Sequence, residues 1–363
     1  MKAAVCRAFG QPLEIEDLTL AAPQAGEVKV TLAACAICHS DLTFMEGGWG
    51  GQLPVILGHE ASGIVGEIGE GVVNVQVGDR VLVTLLRSCG HCGDCESGEP
   101  YICGTSFPID RDSRVSTSSG DKVGQGLKTG AFAEEVVVNQ SQVIPIPATI
   151  PLDAASLLSC GVITGLGAVV NTAKVEYGSS VVVIGCGGVG LNSVQGAGLV
   201  NAYPIIALDL VESKLQAAQD FGATHMINPL VNDAQEKVMD LTSARGADYV
   251  FVAAGSPKAF EQGLDLLAPS GTLVIVGMPP TGQKISVEAG NIAGAGQKII
   301  GSKMGSTRLR IDIPKLVTLY EKGRLKLDEL ITGRYPLEDI NQAIDEVRAD
   351  KALRNVVIFG DSV

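Results

Sequence analysis

The sequence is short of aromatic residues, of histidine and of positive charge. Phe, Trp and Tyr make up 4% of its 363 residues, Trp49 is the one tryptophan, and 46% of the chain is hydrophobic. A chain of that composition builds an aliphatic core and is not disordered. Lys and Arg number 27 against 40 Asp and Glu, a net charge of -13, and no basic run offsets it locally. That field repels phosphate backbones and anionic lipid, so neither a nucleic-acid nor a membrane partner is expected. A long apolar run is also missing. The nearest candidate, residues 181–200, carries six glycines with Asn192, Ser193 and Gln195, and reads as a buried strand, turn and helix. The first residues pass quickly into Glu14, Glu16 and Asp17 without an apolar core and cleavage site, so the expected compartment is the cytoplasm.

Cysteine, in contrast, is present nine times, an odd count that in a reducing compartment favours metal sites over disulfides. Cys89, Cys92, Cys95 and Cys103 stand at C-x2-C-x2-C-x7-C spacing, with Gly90, Gly93 and Gly98 supplying turns. Four soft thiolates so close satisfy one tetrahedral zinc, and a closed shell of that kind is structural. The competing readings are an iron–sulfur cluster and unrelated buried thiols.

The length fits two domains, with a cleft expected between them. Residues 1–150 read as short strands broken by Gly and Pro, as in the alternating stretch 27–32. A helix is predicted to open near Asp153, after Pro151. From Ser180 onward apolar runs alternate with helical stretches, which predicts βα units and a parallel sheet covered on both faces. The polar segment 105–129 reads as a surface loop. The tail leaves the βα rhythm, with helices over 315–322 and 337–349 and a last strand over 355–359, and is expected to rejoin the first domain.

Gly185-Cys186-Gly187-Gly188-Val189-Gly190 follows an apolar strand and opens a helix, so its backbone can approach a pyrophosphate at the helix N-terminus. A second strand, 205–208, ends in Asp209 about 20 residues further on, placed for the adenosine ribose hydroxyls. A tight structural turn is the plainer alternative, and the carboxylate favours a dinucleotide. Three further segments are ambiguous taken singly: Cys38-His39-Ser40-Asp41, Gly58-His59-Glu60, and Cys160 ahead of Thr164. A lone buried Cys or His usually just packs.

Together these motifs resemble the zinc-containing alcohol dehydrogenases of the medium-chain dehydrogenase/reductase superfamily, over nearly the whole chain. The resemblance implies an α/β plus β fold. A GroES-like catalytic domain would span 1–161 and 304–363, with the zinc lobe at 89–103, and a Rossmann-type parallel-sheet cofactor domain would span 162–303. It implies two zinc ions per subunit and NAD. Cys38, His59 and Cys160 would hold the catalytic zinc with its fourth position open. Glu60 would sit behind the metal and replace its water transiently, and Asp41 would orient His59. Ser40 would take the substrate proton. Where many relatives end the relay in a histidine, this chain has Thr43.

By the same resemblance His39 and Arg354 contact the cofactor pyrophosphate, Thr164 lies near the nicotinamide, Lys214 lies beside the adenosine, and Val276 belongs to the cofactor site. Gly255-Ser256 replaces an arginine common in relatives. Trp49 and Leu85 would line the substrate channel. The implied reaction converts a primary aliphatic or aryl alcohol reversibly to its aldehyde. A thiol-dependent formaldehyde dehydrogenase is the alternative. Relatives of that type carry a basic residue where this chain has Phe107, although Arg111 and Arg114 follow closely. A non-catalytic member of the fold is a third reading, disfavoured by the retained ligand set. A homo-oligomer, dimer or tetramer, is expected.

Overall fold

A computed structural model describes residues 1–360. Residues 361–363, which the sequence reading placed in the catalytic domain, lie outside the described residues. The chain divides into two compact units, Met1–Cys160 with Arg308–Val363, and Gly161–Thr307.

The first unit is built on a seven-stranded sheet. Its central strand Glu27–Ala36 buries Val28, Val30 and Leu32 on alternate positions, the period that a half-buried strand requires. Antiparallel partners flank it: Glu60–Ile68, Glu135–Asn139 and the late strand Arg354–Ile358, which brings the tail back to the start of the chain. Strand Arg80–Thr84 pairs with Glu60–Ile68 on its far side. The register sets Ala36 opposite Glu60, Glu60 opposite Thr84, and Ala36 opposite Val356. One end of the sheet therefore gathers the exit of Glu27–Ala36, the entry of Glu60–Ile68, the exit of Arg80–Thr84 and the entry of Arg354–Ile358.

Segment 105–129 differs from the loop expected of it. It contains the strands Val115–Ser116 and Lys122–Gln125, both in a six-stranded sheet with Lys2–Cys6. Its anchor is ionic. Arg114 is buried, and its Nε and Nη2 donate to the Glu27 carboxylate at 2.8 and 2.7 Å, while Nη1 donates to Asp112. A paired, fully hydrogen-bonded charge is one of the few ways to bury such a polar stretch, and hydropathy does not reveal it.

The second unit carries a six-stranded parallel sheet in the order His225–Ile227, Ile205–Leu208, Val181–Ile184, Ala247–Val252, Leu267–Ile275, Lys298–Gly301. The strand order reverses on either side of Val181–Ile184, which makes the loop after that strand the switch point where such sheets bind nucleotides. Residues 181–200 form that buried strand and the helix Gly188–Leu199.

The helix expected near Asp153 runs over Leu152–Ser156, continues as a tighter turn over Leu157–Ser159 and breaks at Cys160 (φ -149°, ψ -67°). A new helix, Gly161–Gly167, follows. Among the described residues no single helix is long and apolar enough to cross a membrane. One bent pair, Leu152–Ser159 with Gly161–Ala173, passes that test by composition, and it is buried from Leu152 to Val169.

Candidate metal centres and dinucleotide loop

The convergence of strand ends in the first unit assembles a buried donor set. Cys38 lies two residues beyond Ala36 and caps the helix His39–Met45. Glu60 opens its strand, with His59 just before it. Cys160 is delivered by side-chain ties on the residues around it. Thr84 Oγ1 donates to Ser159 O at 2.6 Å, and Ser159 Oγ donates to Ala61 O at 2.9 Å. The ligand atoms of Cys38, His59, Glu60 and Cys160 all lie within 4.8 Å of one another, and all four residues are buried.

Asp41 organises this set. Its carboxylate accepts from Cys38 N (3.1 Å) and Gly58 N (3.0 Å), and it lies 3.1 Å from His59 Nδ1. A carboxylate can only accept, so Nδ1 carries the proton and Nε2 presents its lone pair. That Nε2 is buried without a hydrogen-bond partner. Gly58 permits the geometry, because at φ +87° a Cβ would fall 2.7 Å from Phe132 N. A buried imidazole lone pair beside two thiols is the donor set of a soft-to-borderline divalent cation, and a third sulfur is not there to close the tetrahedron.

The electrostatics of the set follow from burial. Desolvation pushes the Glu60 carboxyl up to about 8. Arg354, also buried, lies 3.2 Å from Glu60 Oε1 without hydrogen-bond alignment, and donates to Ile37 O. The hydrogen bond from Cys160 holds the Cys38 thiol well below its usual value, and the same contact raises Cys160. Two buried thiols that cannot both ionise unaided fit a site completed by a cation.

The second cluster is local. Cys89, Cys92, Cys95 and Cys103 also bring their sulfurs within 4.8 Å of one another. Cys103 Sγ is 3.8 Å from both Cys92 Sγ and Cys89 Sγ, and Cys92 N donates to Cys89 Sγ at 3.3 Å. Gly90 (φ +81°) and Gly98 (φ +89°) supply the left-handed turns. A hydrogen bond from Thr105 lowers the Cys89 thiol to about 5, while burial lifts Cys95 to about 12. The four sulfurs fit a closed tetrahedral metal shell. His91, with Nδ1 2.8 Å from Cys89 O, belongs to the fold of this lobe.

In the second unit Gly185 takes φ +91°, and a Cβ on Gly190 would fall 1.8 Å from Gly185 O, so both positions admit only glycine. Gly187 is different: a Cβ there would meet nothing within 4 Å, which leaves open floor at the start of helix Gly188–Leu199, beside Val189. Asp209 is fixed by its own turn, accepting from Cys186 N at 2.7 Å and Val211 N at 2.9 Å. Lys214 is half-buried on the helix that follows, and Val276 is buried just after strand Leu267–Ile275. Thr164 Oγ1 donates to Met304 Sδ at 3.5 Å.

His39 and Ser40 open the helix after Cys38, exposed and half-buried respectively. Thr43 Oγ1 donates to His39 O at 3.0 Å. Trp49 is half-buried in a glycine-rich turn, and Leu85 is half-exposed between buried Thr84 and Leu86. One cluster escaped the sequence reading: Arg87, buried, with its guanidinium 4.5 Å from the Phe107 ring centroid and paired with Asp110. Only its place two residues beyond Leu85 could have drawn notice.

Comparison with known proteins agrees with this anatomy. Residues 24–148 match the alcohol dehydrogenase GroES-like domain family and residues 188–322 the zinc-binding dehydrogenase family. The chain is 35% identical to an S-(hydroxymethyl)glutathione dehydrogenase of Paracoccus denitrificans over 99% of both chains. Among solved structures it superposes on benzyl alcohol dehydrogenase from Acinetobacter calcoaceticus with a TM-score of 0.92, 32% identity and 99% of both chains covered. It also superposes on a zinc-binding dehydrogenase from Sinorhizobium meliloti bound to NADP, with a TM-score of 0.82, 26% identity and 99% of both chains covered. With two metal-type clusters, a reversed parallel sheet and relatives alike from end to end, the chain belongs to the zinc-containing alcohol dehydrogenases, oxidoreductases of the medium-chain dehydrogenase/reductase superfamily that pair a GroES-like domain with a Rossmann-type one.

Proposed function

We propose that the chain oxidises uncharged primary alcohols, aliphatic or aryl, reversibly to aldehydes with NAD, as a cytoplasmic homo-oligomer. In this reading Cys38, His59 and Cys160 hold the catalytic zinc with Glu60 behind it, and Cys89, Cys92, Cys95 and Cys103 hold the structural zinc. The observation that carries the reading is the buried, unpartnered Nε2 of His59 facing two thiols. When bound, the metal would supply the Lewis acidity that makes an alcohol a hydride donor near neutral pH, and the nicotinamide cofactor would supply the hydride acceptor.

The chain's own residues do the rest. Asp41 fixes the His59 tautomer and the Cys38 backbone through three contacts. Ser40, beside Cys38, accepts the alcohol proton. Thr43 already donates to His39 O, so beyond Ser40 the proton passes to water or to the lone pairs of Thr43. Gly185, Gly187, Gly188, Val189 and Gly190 form the pyrophosphate floor, and His39 and Arg354 are the further pyrophosphate contacts that the family resemblance implies. Thr164 serves the nicotinamide end, Lys214 the adenosine end, and Val276 belongs to the same cofactor site.

In this reading NAD is preferred because Asp209, held in place by two backbone donors, stands at the position expected to bind the adenosine ribose hydroxyls and would oppose the extra phosphate of NADP. Like charges about 4 Å apart cost on the order of 4 kcal/mol at an effective dielectric of about 20. That is a preference of up to roughly a thousandfold, less where solvent screens the site. The NADP-bound neighbour makes the opposite outcome worth measuring: equal kcat/KM for the two cofactors removes this role from Asp209.

The uncharged substrate is supported by Trp49 and Leu85, whose apolar surface favours aryl and medium-chain groups by about 25 cal/mol per Å² buried. It is supported as well by the basic residues after the lobe. Of the two arginines, Arg114 is engaged by Glu27 and Asp112, while Arg111 is exposed. The second reading, oxidation of a thiol adduct of formaldehyde, is favoured by the name of the Paracoccus relative. The deciding ratio is kcat/KM for benzyl alcohol or hexanol against that for S-(hydroxymethyl)glutathione. An adduct preference of about a hundredfold that disappears in Arg111→Ala overturns the simple-alcohol reading.

A further inference from the structure

Cys160 reaches the buried donor set from a break between two helices, where the turn Leu157–Ser159 ends and the helix Gly161–Gly167 begins. A helix end leaves backbone carbonyls without helical partners, and no strand ladder holds the chain there. Two hydroxyls supply the hold. Thr84 Oγ1 donates to Ser159 O at 2.6 Å, and Ser159 Oγ donates to Ala61 O at 2.9 Å, with all three residues buried.

The first bond acts on the peptide unit of the ligand itself. Ser159 O and the Cα of Cys160 lie in one planar group, so a donor on that oxygen fixes the plane from which the Cys160 side chain departs. The second bond ties the same residue to the neighbouring strand. Thr84 stands opposite Glu60 and Val83 opposite Ala61, so the two anchors sit on adjacent rungs of one ladder, beside Glu60. Anchored on two strands about 4.8 Å apart, residue 159 resists pivoting about either one.

Thr84 is itself held ready. Its Oγ1 accepts from Leu86 N at 3.4 Å, which directs the hydroxyl proton to Ser159 O. Its carbonyl accepts from Nε2 of the buried Gln142 at 2.8 Å. The helix leading to Cys160 is tied at its start as well: Ser62 Oγ donates to Leu152 O at 2.5 Å, and Arg334 Nε donates to the buried Asp153 carboxylate at 2.8 Å. Asp41 contacts Cys38 N and the His59 ring, and the two hydroxyls give the segment of Cys160 a corresponding support.

We propose that Thr84 and Ser159 are positioning residues for the catalytic metal, their hydroxyls clasping the Ser159–Cys160 peptide so that the Cys160 sulfur is held within the donor set of Cys38 and His59. The inference rests on the proposed function, in which Cys160 is a metal ligand.

The test is chelator competition for zinc, together with the visible absorption of protein carrying cobalt in the catalytic site, on wild type, Thr84→Val, Thr84→Ser and Cys160→Ser. Valine keeps the branched shape and cannot donate, whereas serine restores the hydroxyl. Thr84→Val should hold the catalytic ion at least about tenfold more weakly than wild type, keep the lobe ion and shift the thiolate-to-cobalt bands, and Thr84→Ser should bind at least about threefold more tightly than Thr84→Val. A smaller loss in Thr84→Val, an unchanged cobalt spectrum, or a serine variant no better than valine overturns the proposal. If Thr84→Val does not fold, Ser159→Ala, which removes the other hydroxyl, is read against the same loss and the same spectral shift. Cys160→Ser separates the two readings. If it still binds two zinc ions as tightly as wild type, the ligand assignment fails and the clasp with it; if it loses one ion while Thr84→Val behaves as wild type, the clasp alone fails.

Discussion

The two metal-type clusters of the first unit each gather four donor residues within 4.8 Å and are built in opposite ways. The lobe draws its four thiols from residues 89–103, with glycine turns between them and three of the four cysteines half-exposed. The other set draws Cys38, His59, Glu60 and Cys160 from separate strand ends and a broken helix, all buried, and depends on the register that sets Ala36 opposite Glu60 and Glu60 opposite Thr84. A cluster made by local turns can hold a loop together. A cluster made by a whole sheet can keep an open coordination position, because its geometry is fixed by everything around it.

That contrast can be broken by substitution. Cys160→Ser should lower turnover by at least about a thousandfold, roughly 4 kcal/mol of barrier, while the melting temperature stays near wild type. A collapse of folding in this variant would contradict the division of labour. Asp41→Asn should cost about 10- to 100-fold in catalytic metal affinity or activity, measured by chelator competition, since Asn retains one acceptor for three contacts. Loss of lobe metal in the same variant would show that the clusters are not independent. Cys92→Ser should change turnover least, within about twofold per folded molecule at 25 °C. Its melting temperature should fall by several degrees, at about 2–4 °C per kcal/mol for domains of this size. Elemental analysis should give two zinc ions per wild-type chain and one in each cysteine variant.

The same contrast explains what was legible beforehand. The lobe and the Gly185–Gly190 loop each lie within one short window, so spacing and flanking strands suffice to read them. The parallel sheet was visible for the same reason, since each βα unit repeats its apolar period locally. Cys38, His59 and Cys160 carry no mutual spacing rule, and grouping them needed resemblance to a family before the strand register could bring them together. What stayed hidden was ionic: the Arg114–Glu27 pair in a segment read as loop, and Arg87 over Phe107 with Asp110. Pattern reading ranks an arginine as surface, and only the fold shows which ones have partners inside.

The Arg114–Glu27 pair has a bearing on proteolysis. Arg111 and Arg114 stand three residues apart in a polar, serine-rich stretch that composition would mark as an easy site for trypsin. Cleavage requires about a dozen residues to leave the structure and extend across the protease. Around Arg114 that means pulling a buried guanidinium away from both oxygens of Glu27, which belongs to the central strand of the sheet. Arg111 lies only three residues away, so cleavage there must open the same stretch, and the bonds after Arg111 and Arg114 should both hold until the sheet itself gives way.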